Sequence, residues 1–98
     1  MSAAIIDGKA IAADIRERLT DRVNDRIRAG QRPPGLAVVL VGDNAASSVY
    51  VRMKRRDCAQ VGFVSHDHDL PADTDQAALL ALIDQLNTSP EVHGILVQ

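Results

Sequence analysis

Six consecutive apolar residues, "LAVVLV" from Leu36 to Val41, constrain this chain more than any other stretch. The run is preceded by "QRPPG" and followed by Gly42, Asp43 and Asn44, so it is short and has turn residues at both ends. Pro33 and Pro34 each push the residue before them out of helical geometry. The run therefore reads as a strand. Its apolar side chains are continuous rather than alternating, so both of its faces must be buried, and strands of that kind belong to parallel sheets covered by helices.

The flanking segments can supply that cover. After Asp7 and Gly8, the residues Ile11, Ile15, Leu19, Val23 and Ile27 recur every four positions, and Gly30 follows. This predicts an amphipathic helix with an aspartate at its start and a glycine stop. Its other positions carry mixed charges, with Asp14 and Arg18 in the favourable i,i+4 order, and form a solvated face. Asn44 is placed to cap a second helix, Ala46 to Val61, which Gly62 ends, and "FVSHDHDL" begins a more polar strand. Asp73 or Thr74 can cap a third helix, where Leu79, Leu82, Ile83 and Leu86 share one face. "SPE" breaks it, and "VHGILVQ" is a third strand. The fold class expected is α/β: a three-layer-type parallel sheet, βαβαβ with three strands and right-handed crossovers, preceded by an amphipathic helix packed on a face. A buried parallel strand that ends the chain, with too few helices to cover both faces of the sheet, is what a truncated part of a larger domain would show.

Composition narrows the class further. Apolar residues make up 46% of the chain but aromatics only 2%, Tyr50 and Phe63, so the core must be built from Ala, Val, Ile and Leu. A formal net charge of -2 gives no overall field to attract a polyanion. The single cysteine, Cys58, cannot form an intramolecular disulfide. No apolar run approaches the roughly 20 residues of a membrane span, and no basic segment precedes an apolar one at the start. A soluble, cytoplasmic protein without a membrane or nucleic-acid partner is expected.

The second helix carries the unusual cluster "RMKRR". On a wheel starting at Ala46, Val49, Met53, Tyr50, Val61, Cys58 and Val51 span an apolar arc from about 300° through zero to about 140°. Arg55, Arg52 and Arg56 lie at about 180°, 240° and 280°, outside that arc or at its edge, and read as solvated cations. Lys54, at about 80°, falls between Tyr50 and Cys58 in the middle of the arc. Burial disfavours the charged form of a lysine, which suits such a residue to proton transfer. The bland alternative is a lysine that snorkels to water or pairs with Asp57 three residues on. In open parallel sheets, ligands bind outside the carboxyl ends of the strands, where Gly42 to Asn44 and Gln98 should lie beside this helix.

The segments "IIDGKAIAADIR", "VGDNAASSVYVRMKRRDCAQVGF" and "GILVQ", in that order, closely resemble the amino-terminal part of the bifunctional methylenetetrahydrofolate dehydrogenase/methenyltetrahydrofolate cyclohydrolase family. The resemblance covers essentially the whole chain. It implies that Tyr50 and Lys54 are the catalytic pair of a Y-V-x-x-K motif, that Gln98 hydrogen-bonds the lysine, and that Ser47 lines the substrate site. It implies NADP-dependent oxidation of 5,10-methylenetetrahydrofolate to the 5,10-methenyl cation, then hydrolysis to 10-formyltetrahydrofolate. The lysine would move protons and polarise the folate, and the tyrosine would pack on the pterin and aminobenzoate region. By the same resemblance, residues 1–98 form a partial amino-terminal folate-binding catalytic domain of a cytoplasmic homodimer in one-carbon metabolism and purine biosynthesis. The family's L-P-L-P segment, pterin-binding aspartate and carboxyl-terminal NADP-binding Rossmann domain lie outside these 98 residues, so this piece is expected to be inactive alone.

Two positions depart from the family pattern. Ala45 stands where proline is usual, and Asp57 replaces a usually small residue, where an ion pair would hold Lys54 charged. The remaining signals are weaker. His66 and His68 are two apart and share one face if extended, but two histidines fall short of a metal site, and none is expected. "RMKRR" lacks the interleaved aromatics of a nucleic-acid surface, and "GDNAASS" lacks the G-K-[ST] of a phosphate-binding loop. The alternative to an enzyme domain is a non-catalytic folding or interaction module.

Overall fold

The computed structural model describes residues 2–98. In chain order the elements are α1 (Gly8–Arg28), β1 (Gly35–Val41), α2 (Ala45–Val61), β2 (Val64–Leu70), α3 (Gln76–Thr88) and β3 (Gly94–Val97). All strand pairs are parallel and the order is β2-β1-β3, with β1 in the centre. In register, Val38 lies opposite Asp67 on one side and Leu96 on the other.

β1 is buried on both faces, as its continuous apolar run requires. Ala37 and Val39 face α3 and pack with Leu86, while Val38 and Leu40 face α2 and pack with Val51. The side-chain period of two in a strand carries the same division into β2 and β3. Ser65, Asp67 and Asp69 share the α2 face with Val38 and Leu40, whereas His66 and His68 share the α3 face with Ala37 and Val39. Leu96 and, two residues later, Gln98 fall on the α2 face.

Local chemistry sets the element ends. The Asp7 carboxylate accepts from the Ala10 N–H at 3.1 Å, and the Asn44 side-chain oxygen accepts from the Ser47 N–H at 3.1 Å. Gly62 ends α2 with φ at 91°, where a Cβ would come within 3.0 Å of Val23 Cγ1. A side chain there would push α1 off α2. The third helix is capped just after both candidates read from sequence, two residues past Asp73 and one past Thr74: Asp75 accepts from the Ala78 N–H at 2.7 Å, while the Thr74 hydroxyl donates to the Pro71 carbonyl. Asp73, Thr74 and Asp75 are chemically similar as caps, and the turn after Pro71 selects among them.

The first helix departs from expectation in its packing. α1 lies against α2, and of its predicted stripe only Val23 is buried; Ile11, Ile15 and Ile27 are each about half exposed at 50%, 50% and 51%. With the extended residues ahead of it, α1 stretches the molecule to a radius of gyration of 16.5 Å, against about 13 Å for a compact domain of this length. No helix of the described residues is long and apolar enough to cross a membrane.

Candidate active site

A 2-1-3 strand order opens its crevice at the carboxyl ends of β1 and β3, where neighbouring connections leave in different directions. Around that point lie the β1–α2 turn, the first two turns of α2 and Gln98. Gly42 adopts φ 84° to make the turn, and its N–H donates to the Leu70 carbonyl at 2.9 Å. Gln98 extends the β3 ladder by one residue: its N–H donates to the Val39 carbonyl at 2.8 Å, and its own carbonyl accepts from the Val41 N–H at 2.9 Å. Two backbone bonds thus fix the Gln98 Cα and aim its side chain over the α2 face.

Lys54 meets it there. Lys54 Nζ donates to Gln98 Oε1 at 3.4 Å and sits 5.5 Å from the centroid of the Tyr50 ring, within cation–π range. Ser47, Tyr50 and Lys54 stand at i, i+3 and i+7 and so share one side of the helix. Ser47 is half-buried in the first turn, where its N–H is held by Asn44. Tyr50 is 54% exposed, so its ring is a free platform at the rim while the lysine stem is half-buried behind it. Of the four residues nominated from sequence, Lys54 meets both Tyr50 and Gln98, and Ser47 stands one helical turn ahead of Tyr50.

Asp57 does not pair with Lys54. Its carboxylate turns towards Arg56, 3.8 Å from that residue's Nε, and among the described residues no carboxylate lies within ion-pair distance of Lys54. Among the described residues, the Lys54 ammonium is met by an amide oxygen and a ring face.

Arg55 corrects the reading of "RMKRR". Arg52 and Arg56 are exposed, but the Arg55 side chain is 24% exposed and lies between α2 and β2. Its Nη2 donates to Asp69 Oδ1 at 2.6 Å, and its Nε sits 2.9 Å from Asp67 Oδ1, an ion pair by distance without hydrogen-bond alignment. Ser65 Oγ donates to the same Asp67 oxygen. The hydrogen bond from Arg55 holds the Asp69 carboxyl below the ordinary carboxylate range, and the same bond raises the Arg55 guanidinium against the opposing effect of its burial. Helix projection alone treats everything off the apolar arc as water. The signal was in "SHDHD": acids two apart on a strand share a face, and that face is the one turned to α2.

Cys58 and His93 take ordinary structural roles. Burial, then the nearby Asp57 and Asp67 charges, push the Cys58 thiol up, so it behaves as an apolar neighbour of Lys54. His93 Nδ1 accepts from the Gly35 N–H at 2.9 Å and ties the start of β3 to β1. Among the described residues no group of three or more His, Cys, Asp or Glu side chains converges as a metal site would need. An open cavity of about 360 Å³ lies between α3 and the start of β3, lined by Leu86, Asn87, Val92, His93, Gly94 and Ile95. It is separate from the lysine site.

Residues 6–98 match the model of the tetrahydrofolate dehydrogenase/cyclohydrolase catalytic domain. The chain belongs to that family. Its fold is shared with the N5,N10-methylenetetrahydrofolate dehydrogenase-cyclohydrolase of Trypanosoma brucei, solved with NADP cofactor and an inhibitor, at 38% identity and a TM-score of 0.91 over 100% of this chain and 34% of that one. The bifunctional methylenetetrahydrofolate dehydrogenase/cyclohydrolase of Campylobacter jejuni is 44% identical, with a TM-score of 0.90 over 94% of this chain and 32% of that one. A 5,10-methylenetetrahydrofolate dehydrogenase from the silkworm Bombyx mori is 36% identical, with a TM-score of 0.94 over 99% and 33%. The chain thus spans about a third of the length of these relatives.

Residues of this dehydrogenase/cyclohydrolase domain do not form a dinucleotide cradle at the β1–α2 turn. Gly42 is followed by Asp43, which would repel a pyrophosphate, and the Asn44 carboxamide already occupies the Ser47 N–H of the helix start.

Proposed function

We propose that the full-length protein oxidises 5,10-methylenetetrahydrofolate to the 5,10-methenyl cation and hydrolyses that cation to 10-formyltetrahydrofolate, with Lys54, Tyr50 and Gln98 forming the folate-side machinery. One observation carries the reading: the contact of Lys54 Nζ with Gln98 Oε1 and the Tyr50 ring at the carboxyl end of the sheet, where no carboxylate of the described residues pairs with the lysine. Family membership supplies the substrate class.

The geometry suits the hydrolysis. Water adding to the bridging carbon of the cation forms a C–O bond and must lose a proton. The ring-opening step then breaks the bond from that carbon to N5, which must gain a proton, while the hydroxyl oxygen on that carbon becomes the formyl carbonyl and loses its own proton to solvent. Net, one water is consumed and one proton is released. A lysine with a free lone pair accepts the first proton and, as its conjugate acid, returns a proton to N5. An ion pair would tie that nitrogen up, whereas the Gln98 oxygen orients the ammonium without neutralising it. Tyr50 offers a flat face at the mouth, suited to stacking against the planar rings of a folate. Ser47, one turn ahead on the same side, extends the polar wall of the site.

The oxidation needs a hydride acceptor. NADP is the group the reading assigns to that task, held by parts of the full-length protein other than these residues, because the β1–α2 turn does not suit a pyrophosphate. On this reading the 98 residues alone form no NADPH. The same reading sets the protein in one-carbon metabolism leading to purine biosynthesis, as a cytoplasmic homodimer.

The test is the decay of methenyltetrahydrofolate absorbance with full-length protein. Lys54→Ala is expected to slow hydrolysis by about 10²-fold or more, the size of a lost general acid–base group. Full activity in that variant would sink the assignment.

A further inference from the structure

Lys54 and Arg55 are adjacent in sequence, and their side chains reach opposite edges of the sheet. Lys54 meets Gln98 beyond β3, and Arg55 meets Asp67 and Asp69 on β2, with β1 between them. α2 is therefore tied at both edges. Its centre rests on the sheet through Val51, which packs on Val38 and Leu40; its buried residues, Val51, Cys58 and Val61, lie within an arc of about 80° on the helix surface. A narrow row of that kind, with α1 packed alongside, leaves the ties at the sheet edges to fix the fine rotation of the helix about its axis.

Roll is what the lysine site cannot tolerate. At a side-chain radius of about 6 Å, a roll of about 10° displaces an atom by about 1 Å. The Lys54–Gln98 contact is already 3.4 Å, at the long end for a hydrogen bond. The acids that oppose roll are themselves fixed: Asp67 and Asp69 stand in register with Val38 and Leu40 of the central strand, and Ser65 Oγ donates to Asp67.

We infer that Arg55, clamped to Asp67 and Asp69, is a positioning residue for Lys54: it sets the rotation of α2 so that Nζ meets Gln98 and the substrate. This rests on the reading of Lys54 as the group that moves the proton. The clamp also neutralises the two carboxylates that β2 presents to α2, so that among the described residues neither is left to pair with the lysine.

The experiment measures kcat and KM for methenyltetrahydrofolate hydrolysis by the full-length protein carrying Arg55→Met, Arg55→Lys or Asp69→Asn, with Lys54→Ala alongside. Arg55→Met is expected to lower kcat about tenfold or more, as displacements approaching 1 Å do, with KM changed by less than about twofold because the Tyr50 platform stays. Arg55→Lys, which keeps one charge but loses the fork, should recover part of the loss. The double variant Arg55→Met/Asp69→Asn should cost no more than Arg55→Met alone, since both break one link. A pair that only stabilised the fold would lower the melting temperature and leave kcat untouched well below it. If Arg55→Met fails to fold, Asp69→Asn, nearly isosteric and on the exposed edge, carries the same test. Unchanged kcat in the Arg55 and Asp69 variants, beside an inactive Lys54→Ala, would overturn the clamp and leave the catalytic reading standing. Full activity in Lys54→Ala would overturn both.

Discussion

On the β2 flank of α2, Arg55 lies 2.6 Å from one carboxylate and 2.9 Å from another; on the β3 flank, one residue earlier, Lys54 meets an amide oxygen at 3.4 Å and a ring face. Both cations are half-buried. Arginine, always charged and shaped as a planar fork, suits the flank where charge must be permanently balanced. Lysine can give up its proton and suits the flank where no counter-charge is supplied. On the proposed reading, two adjacent cations divide into a tether and a reactive group, and what divides them is the presence or absence of acids on the strand each one faces.

Both flanks lean on the centre of the helix, so the largest effect should come from there. Val51 is 1% exposed and packs on Val38 and Leu40. Val51→Ala removes two buried methyl groups' worth of packing and leaves a cavity, costing about 2 kcal/mol. Denaturant unfolding followed by circular dichroism should show that loss, and hydrolysis measured under stabilising conditions should fall as well, since both flanks lose their common support. A stability change below about 0.5 kcal/mol would mean that α2 is held chiefly by its edges.

How much of this was readable before any coordinates follows the same division. The centre was legible: "LAVVLV" required a strand buried twice over, and the 100° advance of a helix put Val51, Cys58 and Lys54 on one side. The β3 flank was legible in part, because Lys54 stood out as a cation among apolar residues, while the role of Gln98 came through family resemblance. The β2 flank was misread. A wheel describes one helix in isolation, and the partner of Arg55 is 12 and 14 residues away on a strand whose inward face carries acids. The packing of α1 was misread for a related reason: a regular stripe of isoleucines says that a helix has an apolar side, not that these 98 residues cover it.

A sharper way to break the difference between the flanks is to give Lys54 a carboxylate. Gln98→Glu preserves size and reach while converting the β3 flank into a likeness of the β2 flank. The ion pair would favour the charged lysine, so the fold should be unchanged or slightly firmer while hydrolysis slows by about tenfold, equivalent to about 1.4 kcal/mol. Activity equal to the parent at every pH would show that neutralising Lys54 does not matter, and the contrast with Arg55 would lose its meaning.

The smallest effect is expected from the tether's own charge. The hydrogen bond from Arg55 holds the Asp69 carboxyl below its ordinary value, so the folded state favours the ionised form. The resulting stability is complete above the unfolded carboxyl pKa of about 3.9 and is lost as pH falls through the lower folded value. Asp69 is 65% exposed on its side chain, and solvent screening limits such a pair to about 1 kcal/mol at most. Asp69→Asn should therefore be slightly less stable than the parent at pH 7 and match it only once the pH is below the lowered folded value, with added salt narrowing the gap at neutral pH. A gap that persisted undiminished in acid would mean that Asp69 contributes through shape rather than charge. In that case the β2 flank would resemble the β3 flank more than the ion pairs suggest.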